Sequence, residues 1–169
     1  MTDYVGNPLQ TRGAEHYTLH GLKGEGMNFL YARNGLGLEI WISLDRTGDP
    51  SRVIYSGDNM GYFVPCGYVA PQYYDCNGTG FLKPFTAGFF TTCGLTAVGS
   101  PCTDEGEELP LHGTISNTPA QLCGIDETEE GIIIRLKISD ESLFGRNLVM
   151  ERIWLNFYEN FLELFRKLF

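Results

Sequence analysis

Basic side chains are scarce in this chain. Twelve Lys+Arg stand against 21 Asp+Glu, a formal net charge of -9 over 169 residues. A nucleic-acid partner needs a cationic surface to displace counterions from phosphates, and an anionic membrane needs the same, so neither is expected. Histidine is also sparse, with three residues. His16 and His20 lie four apart, but the β-prone Tyr17-Thr18 between them reads as strand, where that spacing is roughly 13 Å, too far to share one metal. No C-x-x-C pair exists among Cys66, Cys76, Cys93, Cys102 and Cys123. An odd, widely spaced set is neither a zinc site nor a disulfide framework, and reduced thiols in a cytoplasmic protein are expected. No apolar run is long enough to span a bilayer, and Met1–Gln10 lacks the basic and apolar regions of a signal peptide. Gly35-Leu36-Gly37 precedes a strand rather than following one, and no G-x-S-x-G is present, so neither dinucleotide binding nor serine hydrolysis has support.

What the chain does have is apolar residues (43%) and glycine (21 residues). The first is enough for a core; the second, spread along the whole length, implies many turns and many short strands. The stretch Thr2–Asn28 reads as an irregular leading arm with a short strand at Glu15–Leu19. Leu38–Leu44 alternates aliphatic Leu38, Ile40, Ile42 and Leu44 with Glu39, Trp41 and Ser43, the period of a strand. After Asp45-Arg46, Thr47–Pro50 reads as a turn and Arg52–Tyr55 as a second strand. Tyr62–Phe85 interleaves aromatics with Pro65, Pro71 and Pro84, which excludes a helix or central strand and suggests either a binding wall or an end plug. Ala87–Leu95, Ile132–Ile138 and Leu148–Ile153 are β-prone. From Leu155 to Phe169 the period becomes helical, predicting an amphipathic tail too short to cross a membrane. The expected organisation is one all-β domain, residues 1–153, followed by a helical tail, 154–169. His112 stands in Leu-His-Gly; the following glycine lets a ligand approach the backbone, and imidazole titrates near neutrality.

Phe85–Ala120 carries a family likeness. Thr86-Ala-Gly-Phe-Phe-Thr-Thr-Cys-Gly-Leu95, Gly99-Ser-Pro-Cys102, Pro110-Leu-His-Gly-Thr-Ile115 and Thr118-Pro-Ala120 resemble aldose 1-epimerase-like proteins of the galactose-mutarotase-like superfamily. Leu44-Asp45-Arg46, Gly57–Gly61, Leu143-Phe144-Gly145 and Leu148–Arg152 fit as well, so the resemblance covers most of residues 3–153.

That resemblance implies an antiparallel β-sandwich, a truncated form of the family's larger one, with a sugar cleft on one sheet. It implies a monosaccharide partner, mutarotation by general acid–base chemistry and no cofactor. His112 looks like the first of two cleft histidines, hydrogen-bonding the sugar near its ring oxygen or supporting the acid. Asp45, Arg46 and Lys83 match substrate-side positions; Arg46 would hold sugar hydroxyls or pair with Asp45. Relatives tend to carry arginine where this chain has Thr114, and their second histidine and carboxylate base belong to a further half. Two alternatives stand beside the epimerase: a sugar-binding module without turnover, and an inactive fragment or scaffold, with self-association through Leu155, Phe161 and Phe165.

Overall fold

The computed structural model describes residues 5–157. Twelve strands follow one another, all paired antiparallel: β1 (Gly13–Thr18), β2 (Asn28–Arg33), β3 (Leu38–Ser43), β4 (Asp49–Tyr55), β5 (Asp58–Asn59), β6 (Tyr62–Phe63), β7 (Ala87–Gly88), β8 (Cys102–Asp104), β9 (Glu107–Leu109), β10 (Ala120–Glu127), β11 (Gly131–Glu141) and β12 (Asn147–Phe157). Strands β1 to β5 form one sheet in sequence order and β10 to β12 a second; β6–β7 and β8–β9 are separate two-stranded ribbons.

The two larger sheets face each other across one core. Leu30 and Ala32 of β2 and Ile42 of β3, with Leu44 just beyond it, meet Ile132, Ile134, Leu136 and Ile138 of β11, with Ile115 from the intervening loop. Each of the isoleucines at 132, 134 and 138 is at most 1% exposed. Burying such a side chain contributes about 1.5–3 kcal/mol, so this period-two stripe is the main stabilising feature of the sandwich. The opposite face of the first sheet carries Tyr31 and Trp41, cross-strand partners with ring centroids 4.2 Å apart. A second cluster, Met27, Phe29 and Ala70 with Leu19 and Tyr68, holds the aromatic loop against the β2 end of that sheet.

Three differences from the sequence reading have physical causes. Strand β4 begins at Asp49, inside the expected turn. Pro50 is tolerated there because β5 pairs only with Ile54 and Tyr55, so at Pro50 the missing N–H costs no ladder bond on that side, while its carbonyl accepts from Phe89 N at 3.0 Å. Ser51 is the extra residue of a bulge opposite Trp41–Ile42, and its hydroxyl donates to the Trp41 carbonyl at 3.0 Å. The β-prone run Ala87–Leu95 yields only the two-residue β7, because Phe89 and Thr92 bond to β4 backbone and side-chain oxygens instead of a ladder. The expected helical tail is corrected at its start: Leu155, Asn156 and Phe157 pair with Ile133, Ile132 and Gly131, continuing β12 to the end of its partner. No α-helix occurs among the described residues. The rest of that tail, with Phe161 and Phe165, lies outside them.

Candidate functional site

The turn joining β3 to β4 meets three loops. Thr47, fully buried, donates its N–H to the Thr118 carbonyl at 2.9 Å and its hydroxyl to the Ile115 carbonyl. Gly48 follows with φ +67°, and a Cβ there would stand 2.2 Å from Leu136 Cδ1; only glycine lets this turn lie on the second sheet. Trp154 of β12 donates its indole N–H to the Gly48 carbonyl at 2.9 Å.

Arg46 is mostly buried and donates to the Asn117 side-chain oxygen, the Val69 carbonyl and the Pro84 carbonyl, the last at 3.1 Å. It does not pair with Asp45, whose carboxylate accepts the Asn28 N–H instead. Burial pulls the guanidinium down to about 10, with Asp45 and Asp49 acting in the other direction among lesser causes. The Lys83 side chain is 74% accessible, with Nζ 2.8 Å from Asp75 Oδ2, and lines neither of the two spaces that flank the His112 turn. That ammonium, with the two Asn77 donors, holds the Asp75 carboxyl well below the usual carboxylate range.

His112 occupies a left-handed position, φ +59°, followed by Gly113 at φ +75°. A Cβ on Gly113 would lie 3.0 Å from the Ala97 carbonyl oxygen, so the turn sits directly on the Gly94–Gly99 backbone. The imidazole Nδ1 accepts the Gly99 N–H at 3.2 Å, and the His112 N–H donates to the Gly99 carbonyl at 2.9 Å. An accepting Nδ1 puts the proton of the neutral ring on Nε2. The Phe81 ring packs edge-on, 5.3 Å between centroids, and Tyr74 donates its hydroxyl to the Gly113 carbonyl at 3.3 Å. The segment after His112 forms a 3-10 turn, Ile115–Asn117; its tight bend delivers Asn117 to Arg46.

Arg46 thus bonds Asn117, in the segment after His112, and shares a cavity wall with Phe81, whose ring packs on the imidazole, while Lys83 adjoins Pro84 in sequence. Asp45 is turned toward β2. Two spaces flank the imidazole's turn. A cavity of about 30 Å³ includes Arg46, Phe81 and Thr86 in its wall; it accommodates something the size of a water molecule. A cleft of about 720 Å³ is lined by Pro110 and Thr114, which bracket His112 in sequence, and by Glu107, Glu108, Asp140 and Arg146. That is ample for a monosaccharide. His112 lines neither space.

Sequence reasoning missed a buried ion pair beside this turn. Arg152 of β12 reaches Asp49 Oδ1 at 2.5 Å, with side chains 13% and 7% exposed. Thr92 donates its N–H to Asp49 Oδ2 at 2.7 Å and also bonds Arg152 Nη2 at 2.6 Å. The available signal was an arginine within the β-prone run Leu148–Ile153, where a charge that turns inward needs a buried partner. No group of three or more potential metal ligands occurs among the described residues.

Residues 24–161 match a sequence family described as a domain of unknown function, DUF4432. The chain belongs to that family. Among solved structures, this DUF4432 chain is similar to a candidate aldose 1-epimerase from Klebsiella pneumoniae, with a TM-score of 0.72 and 26% identity, covering 88% of this chain and 42% of that one. It is also similar to a galactose 1-epimerase from Lactobacillus acidophilus, with a TM-score of 0.55 and 15% identity, covering 88% of this chain and 46% of the other. The DUF4432 chain therefore has a galactose-mutarotase-like fold, and it spans less than half the length of either structure. No curated protein matches it.

Proposed function

We propose that this DUF4432 chain binds a neutral monosaccharide as a protein of the aldose 1-epimerase kind, with His112 donating a hydrogen bond near the sugar ring oxygen. The observation that supports this reading is the bonding of the imidazole: Nδ1 is committed to Gly99, which leaves Nε2–H uncommitted among the described residues, in a turn whose flanking Pro110 and Thr114 line the cleft. In mutarotation a base removes the anomeric hydroxyl proton while an acid protonates the ring oxygen; the bond from that oxygen to the anomeric carbon breaks, the carbonyl rotates, and the ring recloses with inverted anomer. His112 serves the ring-oxygen side of that exchange. We assign the base to no residue of 5–157.

The cleft beside Thr114 supports an uncharged sugar, because Glu107, Glu108 and Asp140 outnumber Arg146 in its wall and would repel a phosphorylated one. In this reading the exposed Lys83 adds a second contact, and Asp45 and Arg46 act through the loops they hold. No described helix is long and apolar enough to cross a membrane. Cytoplasmic residence rests on five cysteines that are all exposed and unpaired. Self-association rests on β12, where Val149, Ile153 and Leu155 are 53%, 58% and 50% exposed.

Ligand-observed NMR with D-galactose and D-glucose tests the binding, and two-dimensional exchange spectra of the same samples test anomer interconversion. His112→Asn keeps a residue suited to the left-handed turn while removing the imidazole. Loss of one hydrogen bond of about 1.4 kcal/mol weakens binding about tenfold. Unchanged affinity in that variant, or no saturable binding across a panel of neutral sugars, ends the proposal.

A further inference from the structure

The cavity of about 30 Å³ has a one-sided lining. Three polar atoms of residues in its wall are buried and have no partner among the described residues: Ser43 Oγ, Arg46 Nε and Thr86 Oγ1. They come from the end of β3, the turn after it, and the segment following Pro84. Ser43 is 2% exposed, so bulk solvent cannot compensate it. Ser116, 3% exposed and in the same wall, accepts from Asn117 Nδ2 at 3.2 Å, which leaves its own O–H to donate.

The chemistry of these groups is donor-rich. The Nε–H of arginine can only donate, and each hydroxyl offers one O–H. The one carboxylate in the wall, Asp49, is already committed: Oδ1 to Arg152 and the Thr92 hydroxyl, Oδ2 to the Thr92 N–H. Its charge is neutralised by Arg152. Arg46 differs, since its other donors go to uncharged carbonyl oxygens while Asp45 and Asp49 act on it without bonding it, and a buried cation without a bonded counter-charge is costly. The volume admits a particle of about one heavy atom.

We propose that this cavity is a binding site for a monatomic anion of the chloride class, held by Arg46, Ser43 and Thr86. The anion gives Arg46 a directly bonded counter-charge and accepts from the hydroxyls that share the cavity wall. It ties the Thr86 segment to the β3–β4 turn, and it is independent of the sugar reading.

Crystals of the full chain grown in sodium bromide, measured on either side of the bromine absorption edge, test it directly. An anomalous peak within hydrogen-bond reach of Arg46 Nε and Thr86 Oγ1 is the expected result; a water-sized peak there without anomalous signal overturns it. In solution, the protein should broaden the chloride NMR line, bromide should reverse the broadening, and Ser43→Ala combined with Thr86→Val should abolish it. Equal broadening by the wild type and the folded double variant overturns the site. Should circular dichroism show that the double variant is unfolded, the bromide crystal decides.

Discussion

The sandwich and the loop cluster around His112 are built on different principles. Between the sheets, stability comes from similar, repeated contributions: Ile132, Ile134, Leu136 and Ile138 point one way along β11 and meet Leu30, Ala32 and Ile42. Around His112 almost nothing repeats. Arg46, Thr47, Tyr74 and Thr92 each hold a loop by hydrogen bonds made once, to a particular backbone or carboxylate oxygen. The lesson is that the first region tolerates substitution by shape, whereas the second depends on single polar partners.

The largest expected effect attacks the point where the regions join. Asp49→Ala strands the Arg152 guanidinium and the Thr92 donors in a buried place, and urea unfolding should show a loss of about 3–5 kcal/mol. A result near zero would mean that the ion pair is not what couples the β3–β4 turn to β12. Within the sandwich, Ile134→Ala removes a fully packed side chain and should cost about 2–5 kcal/mol by the same measurement. Gly48→Ala combines a left-handed residue with a clash against Leu136, and a cost of about 1–3 kcal/mol is expected; no change would show that Leu136 can move aside freely. A pH series sharpens the contrast on the outer face of the first sheet. Burial, then the 2.7 Å bond from its hydroxyl to Glu39, pushes Tyr31 up to about 12. The neutral phenol is the favoured form in the fold, so this contribution is intact below about pH 10. It is lost as pH rises toward 12; Tyr31→Phe should flatten that part of the stability curve. Smallest is Ile153→Lys on the exposed face of β12, within about 0.5 kcal/mol for the fold. Sedimentation of that variant tests self-association: if wild type and variant sediment alike, β12 is not a contact between copies.

The regularity that stabilises the sandwich also made it legible. Leu38–Leu44 and Ile132–Ile138 announce strands because their side chains alternate. Strand β2 was hidden because Phe29, Leu30, Tyr31 and Ala32 are buried on both faces, which erases the alternation. Leu155 misled because one strand residue before an apolar stretch fits either period. The motif around Leu-His-Gly pointed to this loop cluster only through a resemblance. It could not show that Asp45 turns to Asn28 while Arg46 turns to Asn117, since those choices depend on loops remote in sequence. Asp49 and Arg152 are 103 residues apart, and neither carries a local sign of the other.

Arg46 reaches acceptors 23, 38 and 71 positions along the chain. Closing loops of that span is entropically costly until neighbouring segments are already in place. The guanidinium is therefore expected to dock late during refolding. Substituting it should quicken unfolding while leaving the rate of chain collapse nearly untouched. Amide hydrogens near Val69 and Pro84 should exchange through small local openings, sooner than those of β11, so the same latch that completes the molecule is also the first part to let go.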